Sequence, residues 1–274
     1  MERTQDLGDL KSKHIPSKTF IYFASFILIL LSALSAFIYF KGIVAVQEGK
    51  MNFSGDISIL YWCIAFIMGF AVIILITAFA LSKGKTFYLY ERGIITEDGG
   101  DKKMQLFKDI KDVYLFSSGR TFIINNIAFR SAENNDWEVI TVRYTKVLQA
   151  IQFITSQHKA INVPQQLKQL QSGGNVTFKY ISYGTSAAKK LFATGIKSFL
   201  KVDAKDIIVH HDHLLIDSKR IMISDLSRFS TNNWINEISL YNKENNIVFS
   251  TATNGVFSSQ TFIALLDELI NQKH

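Results

Sequence analysis

Two long apolar runs dominate the first third of the chain. Residues 20–40 read FIYFASFILILLSALSAFIYF, residues 57–81 read ISILYWCIAFIMGFAVIILITAFAL, and neither run contains a charged side chain. A helix of about 20 apolar residues crosses the hydrocarbon core of a bilayer, and one charge at mid-helix costs roughly 2.5–3.5 kcal/mol on insertion scales. Both runs are also longer than the apolar core of a signal peptide. The pattern predicts a two-helix transmembrane hairpin over residues 19–82.

Small residues predict where the two helices meet. Ser32 and Ala36 in the first run, and Ala65 and Gly69 in the second, each stand four positions apart. This spacing lets helix backbones approach closely, so we expect these residues at the helix–helix interface. Neither run holds Asp, Glu, Lys, Arg or His. Transporters and pumps need such groups inside the membrane, so the hairpin is expected to be an anchor unless several copies line a pore.

Basic residues flank the hairpin more densely than they occupy its loop. The loop of residues 41–56 has two lysines and two acids, whereas seven basic residues lie in the flanks: Arg3, Lys11, Lys13, Lys18, Lys83, Lys85 and Arg92. Because Lys and Arg in short flanks favour the cytoplasmic side, both termini are predicted to be cytoplasmic, with residues 1–18 as a tail. The single cysteine, Cys63, lies in the second run, which agrees with a reducing compartment.

Beyond the hairpin, two series of short alternating segments predict β-strands. Residues 86–144 read as strands separated by turns, and a helix with one apolar face follows from about Lys146 to Gln157. A second series begins at Lys205 and ends in a helix from about Ser259 to Gln272. The common order predicts a duplicated module, with module 1 at 83–160, a linker at 161–175, and a connector with module 2 at 176–274.

Short matching motifs align the two series. Asp109-Ile110 followed by Val113 corresponds to Asp225-Leu226 followed by Phe229. A two-span hairpin followed by YLYERGI, a strand hairpin, DI..V and a closing helix resembles the uncharacterised bacterial membrane proteins with PH-like (pleckstrin-homology-like) domains, of the YcxB-like kind. The resemblance covers nearly all of the chain.

The resemblance implies an α+β protein of the bacterial inner membrane. Two PH-like antiparallel β modules, each closed by a C-terminal helix, would lie at the cytoplasmic membrane face. No activity is implied, because one fold hosts many functions. PH domains that bind inositol lipids carry a basic pair in the first hairpin, and this sequence has no convincing equivalent.

The net charge of +7 is concentrated in the connector, where residues 157–205 hold eight lysines and one acid. Residues 162–175 (NVPQQLKQLQSGGN) read as a polar linker. Residues 186–201 then form an amphipathic pattern that can lie in an anionic membrane surface. A helix packed on module 2, or one that binds a partner helix, is the alternative. The membrane-surface candidates are Lys189, Lys190, Lys197, Lys201, Phe192 and Phe199.

A histidine cluster is the one sign of metal chemistry. Residues 209–216 read VHHDHLLI, and two imidazoles at alternate strand positions can reach one zinc ion, but a stable site needs further ligands. The duplication aligns His211-Asp212-His213 with Glu91-Arg92-Gly93, a hairpin turn, which favours a solvated turn. The sequence has no phosphate-binding glycine loop, nucleophile elbow or His-Glu-x-x-His motif. We therefore expect no cofactor and no catalytic residue.

These patterns predict a membrane-anchored, non-enzymatic binding or scaffolding protein. Its expected partners are the lipid bilayer, a protein and anionic lipid, but not nucleic acid, because the basic face lacks stacking aromatic residues. One alternative is an immunity-type or small pore-forming membrane protein that acts as a homo-oligomer. Another is a metal-dependent protein that uses the cluster from His210 to His213.

Overall fold

The computed structural model describes residues 7–117, 123–181, 200, 203–232 and 237–272. The chain folds into two compact units. One unit is the continuous segment Ile15–Thr86, and the other joins the residues up to His14 with the chain from Phe87 onward. The apolar segment is therefore inserted into the chain of the second unit.

The inserted unit consists of two long helical stretches that pack against each other. Helix α1 (Thr19–Phe37) continues through a π-helical turn (Ile38–Ile43) into α2 (Val44–Gln47), and α3 (Ser58–Leu81) forms the second stretch. Both stretches are long and apolar enough to cross a membrane.

The first stretch extends past Phe40, where the sequence had predicted its end. Ile43 is fully buried, and the backbone at Gly42 lies close to the Leu60 side chain. Packing against the start of α3 therefore stabilises a helical stretch that continues past Lys41, whose side chain is exposed.

The interface between α1 and α3 uses small residues, but mostly not the predicted ones. Ala24, Ala71 and Ala78 are fully buried, and Ser35 is 6% exposed. Ala71 and Ala78 stand seven residues apart, the repeat of a coiled-coil seam. The contact between the helices therefore follows a seven-residue spacing, and not the four-residue spacing of small residues that the sequence predicted.

The four residues predicted at this interface have different environments. Ser32 lies at its edge, where its hydroxyl donates to Met68 Sδ at 3.8 Å. Ala36, Ala65 and Gly69 are exposed on the outside of the hairpin. The prediction was wrong for these three residues, because their helix faces point away from the seam.

In the described residues, module 1 of the second unit has seven strands and one α-helix. Strands β1 to β4 form a four-stranded antiparallel sheet in chain order, and β5 to β7 form a three-stranded one. The elements are β1 (Leu10–His14), β2 (Thr86–Tyr90), β3 (Gly93–Asp98), β4 (Asp101–Leu106), β5 (Asp112–Phe116), β6 (Asn126–Arg130), β7 (Glu138–Ile140) and α4 (Val147–Gln171).

Module 2 repeats this order. Its first four strands form a sheet in the order β11-β10-β9-β8, and β12 to β14 form a three-stranded sheet. The elements are β8 (Val176–Tyr180), β9 (Lys205–Val209), β10 (His213–Ile216), β11 (Lys219–Met222), β12 (Leu226–Asn232), β13 (Glu237–Asn242), β14 (Ile247–Ala252) and α5 (Ser259–Asn271).

The modules also share individual backbone contacts. In module 1 the Phe107 N–H donates to the Arg92 carbonyl at 2.9 Å, and in module 2 the Ile223 N–H donates to the Asp212 carbonyl at 2.9 Å. Each bond joins the β2–β3 or β9–β10 turn to the start of a 3₁₀ turn. The alignment of Arg92 with Asp212 therefore has a structural basis.

Two further positions correspond between the modules. Asp109 and Asp225 each end a 3₁₀ turn that precedes the three-stranded sheet. Lys146 and Ser258, which precede α4 and α5, both adopt a left-handed backbone with φ of 54°. These matches extend the correspondence between the two modules to single residues.

Two predicted boundaries need correction. Residues 1–18 are not simply a tail, because Leu10–His14 form β1 and pair with β2 across the inserted hairpin. The predicted linker at 161–175 is mostly helical, since α4 continues to Gln171. Pro164 is exposed within α4, so water can satisfy the carbonyl that its missing N–H leaves free.

Each module has its own hydrophobic core, and α4 contributes to both. Ala150 and Ile154 belong to the module 1 core, whereas Leu170, twenty residues after Ala150, is 1% exposed in the module 2 core. Backbone bonds add to this link, because the Ser258 N–H donates to the Val113 carbonyl at 2.6 Å. The Val113 N–H in turn donates to Ser258 Oγ at 3.1 Å.

Candidate functional site

A polar cleft of about 290 Å³ lies where the two modules meet. Module 1 contributes the end of β6 and the β6–β7 connection, and module 2 contributes β8 and the residues before β9 and α5. Among the residues that line it are Arg130, Glu133, Trp137, Lys179, Asp203 and Phe257.

Arg130 is fixed on the module 1 side of this cleft. Its Nη2 lies 2.6 Å from Asp112 Oδ2, and its Nε donates to the same oxygen at 2.7 Å. Nη1 donates to the Glu133 carbonyl at 2.7 Å, and Cζ lies 4.4 Å from the centre of the Trp137 ring. Burial raises the pKa of Asp112, although Arg130 opposes that shift. The guanidinium therefore has a single orientation, with one face against an indole ring.

Lys179 on β8 links the modules by charge. Its Nζ lies 2.7 Å from Asp206 and 3.3 Å from Glu133 of module 1. Glu133 also pairs with Lys111 at 3.0 Å, and its hydrogen bonds to Lys111 and Lys179 lower its pKa. Alternating charges thus extend across the junction. Because these pairs are partly exposed, their contribution to stability is modest.

Trp137 and Phe257 are the aromatic residues that line the cleft, and their rings meet edge-on at 5.5 Å. Tyr114, which is buried, packs against Phe257 with ring centres 4.9 Å apart. Burial raises the pKa of Tyr114 to about 12, so its phenol stays protonated at neutral pH. An apolar floor with a charged rim is the usual composition of a binding surface for another protein.

His158 on α4 connects the two modules through hydrogen bonds. The Ile110 carbonyl, 3.1 Å from Nε2, can only accept, so Nε2 carries the proton and Nδ1 accepts from the Thr261 hydroxyl at 2.8 Å. The side chain is 2% exposed, and burial lowers the His158 pKa to about 4. A neutral imidazole with both nitrogens occupied is a structural group that joins α4 to α5.

The histidine cluster lies at the β9–β10 turn. His210 and His213 stack with ring centres 4.3 Å apart, and His213 Nδ1 lies 2.7 Å from Asp212. The His210 N–H donates to the His213 carbonyl at 2.8 Å and closes the turn. Arg220 Nη2 lies 3.4 Å from Asp212 Oδ2. In the described part of the chain, no group of three His, Cys, Asp or Glu side chains is placed to hold a metal ion.

The six membrane-surface candidates of the connector lie outside the described residues: Lys189, Lys190, Lys197, Lys201, Phe192 and Phe199. The cleft, in contrast, was missed by the sequence analysis. Arg130 and Trp137 lie more than forty residues from Lys179, so only the packing of the two modules brings them together. The available signal was the duplication itself, since paired modules create a junction.

Comparison with known proteins adds no relative. No protein-family model matches the chain, and no curated protein matches it significantly.

Proposed function

We propose that this chain is a membrane-anchored, non-enzymatic binding or scaffolding protein that presents two PH-like modules at the cytoplasmic membrane face. The observation that carries the proposal is the pairing of β1 with β2 on either side of the inserted hairpin. His14 is opposite Phe87 in that pairing, so the chain must leave and re-enter the same sheet around the apolar segment.

The surface of the hairpin supports its place in a bilayer. In the apolar 18-residue window of each helical stretch, only 11% is buried within the chain. The side chains of Tyr22, Trp62 and Phe66 are 70%, 74% and 76% exposed. An apolar surface of this extent is unfavourable in water. The buried helices of a soluble core would be covered by the rest of their own chain, and these are not.

The sheet pairing supports one side of the membrane for both flanks. A strand pair cannot form across a bilayer, so the residues before α1 and after α3 must share a side. The basic flanks, including Lys18 and Lys83, favour the cytoplasmic side. The outer loop would then be residues 48–57.

The strand layout supports the PH-like assignment and the YcxB-like resemblance. Each module has a four-stranded and a three-stranded antiparallel sheet followed by a closing helix. That layout is the one the resemblance implies. Because the two modules pack closely against each other, they would present one continuous binding surface instead of two independent ones.

The chemistry of the cleft supports binding instead of catalysis. Proton transfer needs a group that is free to exchange a proton near neutral pH, but Arg130, Lys179 and Glu133 are already paired. Paired charges above an aromatic floor suit a protein partner that presents its own charges and one apolar side chain.

Topology mapping tests the anchored arrangement. In a Cys63→Ser background, single cysteines at Ser54 and Lys243 are treated with a membrane-impermeant maleimide in intact cells. We expect labelling at position 54 alone, with labelling at 243 only after the cells are opened. Labelling at 243 in intact cells would contradict the cytoplasmic placement.

A binding experiment tests the scaffold function at the cleft. Cross-linking from a photoreactive residue at Asn134, followed by purification of the chain in detergent, should give a discrete adduct with a second protein. Replacing Trp137 by Ala should abolish the adduct, and the exposed control Lys219→Ala should retain it. No adduct from Asn134, or one unaffected by the Trp137 change, would contradict binding at the cleft.

The oligomeric alternative has one observation in its favour. Ala65 and Gly69 are exposed on α3, and small residues four apart allow a second hairpin to pack closely. Oxidation of an Ala65→Cys, Cys63→Ser variant in membranes should then give a covalent dimer, and Phe66→Cys should not. A monomeric product from Ala65→Cys would argue against this alternative.

A further inference from the structure

The connection between β7 and α4 presents an exposed surface that the cleft does not use. We call it the connection surface and define it by Val142, Arg143, Lys146 and Leu148. Val142 is 54% exposed and Leu148 is 61% exposed. The buried neighbours Thr141 and Val147 fix the backbone, so the exposed apolar side chains are held outward.

The corresponding connection in module 2 is covered. Aligned by the left-handed residues Lys146 and Ser258, Val142 corresponds to Asn254 and Leu148 to Gln260. Ser258 is held against module 1 by its two bonds to Val113. At the first position, exposed Val142 stands where module 2 has buried Asn254. At the second position both side chains are exposed, but Leu148 is apolar and Gln260 is polar.

The charge of the connection surface is positive. Arg143 and Lys146 are both exposed, and neither forms an ion pair with any residue that the structure describes. Elsewhere in module 1, exposed lysines such as Lys11 and Lys111 have carboxylate partners at 2.6 and 3.0 Å. Two unpaired cations beside two exposed apolar side chains match the composition of a surface that binds anionic lipid.

Chain connectivity places this surface near the membrane. His14 Nδ1 donates to the Thr145 carbonyl at 2.9 Å, in the middle of the connection. His14 ends β1, and α1 begins at Thr19. Five residues span at most about 18 Å when fully extended. If α1 crosses a bilayer, the connection surface is therefore within reach of its headgroup layer.

We propose that the connection surface docks on anionic phospholipid, with Val142 and Leu148 inserted at the headgroup boundary and Arg143 and Lys146 bound to phosphate groups. This inference rests on the proposed membrane anchoring and adds to it a second contact with the same bilayer. The contact would fix the orientation of module 1 on the membrane.

Fluorescence in lipid nanodiscs tests the contact on the full chain. A Cys63→Ser, Val142→Cys variant carries an environment-sensitive NBD label, and the discs contain a lipid spin-labelled near the headgroup. The matched control places the label at Ile247, an exposed apolar position on β14 that is 56% exposed. Discs of phosphatidylcholine alone are compared with an equimolar mixture that includes phosphatidylglycerol.

We expect the label at position 142 to be quenched in anionic discs and the label at 247 to remain bright. Each basic residue near an anionic surface contributes about 1 kcal/mol. Arg143→Gln with Lys146→Gln should therefore lower the ratio of docked to undocked chains by about 30-fold. The charge-matched control, Lys219→Gln with Lys243→Gln, should leave the ratio unchanged.

The outcomes separate this inference from the anchoring on which it rests. If the chain co-purifies with the discs but position 142 is no more quenched than 247, the lipid contact is wrong and the anchoring stands. Equal quenching in neutral and anionic discs would overturn the role of Arg143 and Lys146. A chain that does not co-purify with discs would overturn both the anchoring and the contact.

Discussion

At the scale of single residues, His158 makes stability depend on pH. Its pKa is about 4 in the folded chain, against about 6.5 in an unfolded one. Between those values the unfolded chain binds more protons, so stability is full above pH 6.5 and falls as the pH drops. The loss should be about 2 kcal/mol at about pH 5.

Thermal unfolding of the detergent-solubilised chain at several pH values measures this effect. His158→Gln should flatten most of the dependence, because glutamine does not titrate. His14, whose pKa burial also lowers, should account for what is left. His211→Gln, at an exposed turn, should keep the dependence of the parent chain. A parent chain whose unfolding temperature is constant across this range would contradict the assignment.

Gly93 provides a second test at this scale. A Cβ at this position would lie 2.6 Å from the Gln105 carbonyl oxygen and 2.8 Å from Leu7 Cδ2. Gly93→Ala should therefore cost about 1–3 kcal/mol through overpacking. The aligned residue in module 2 is His213, so His213→Ala serves as the control and should cost less. Chemical denaturation in detergent gives both values, and equal losses would contradict the steric explanation.

At the scale of elements, α4 should make the two modules unfold together. Leu170→Ala removes a side chain from the module 2 core and Ile154→Ala removes one from the module 1 core. Each should cost about 2–5 kcal/mol, and both should shift one common transition. Hydrogen exchange monitored in β5 and in β13 distinguishes this outcome from two separate transitions. The exposed change Lys168→Ala should shift neither.

Sequence patterns predicted the elements that carry their own periodicity. The closing helix α5 could be predicted because its apolar side chains recur on one face, which packs on the core of its own module. Strand β1 was missed, since LKSKH buries little beyond His14 and is defined by a partner far along the chain. The second half of α4 was missed because contact with module 2 outweighs its polar composition and Pro164.

At the scale of the whole molecule, the β1–β2 pairing can be tested directly in membranes. Lys13 is opposite Tyr88, and Cα atoms of opposed antiparallel residues lie about 4.5–5.5 Å apart, a distance that a disulfide can span. Lys13→Cys with Tyr88→Cys, in a Cys63→Ser background, should therefore cross-link under mild oxidation. Lys13→Cys with Tyr90→Cys, two residues out of register, should not. Equal cross-linking of the two pairs would contradict the register.

The packing of the whole molecule also explains which parts of the candidate site could be predicted from the sequence. Composition located the basic connector and the apolar hairpin, because both are continuous in sequence. The cleft and the connection surface depend on which faces the modules cover when they pack. A residue such as Val142 becomes informative only when its counterpart Asn254 is seen to be buried.

The inserted hairpin also has a consequence for biosynthesis. Strand β1 leaves the ribosome about 70 residues before β2, a delay of roughly 4–14 s at ordinary translation rates. Under the proposed anchoring, the apolar helices enter the membrane during that interval, while β1 has no partner. Unpaired strands promote aggregation, and charged side chains on a short edge strand oppose it. Lys11 and Lys13 would then oppose association of β1 until β2 emerges, so under the proposed anchoring the order of synthesis favours insertion of the hairpin before the first sheet closes.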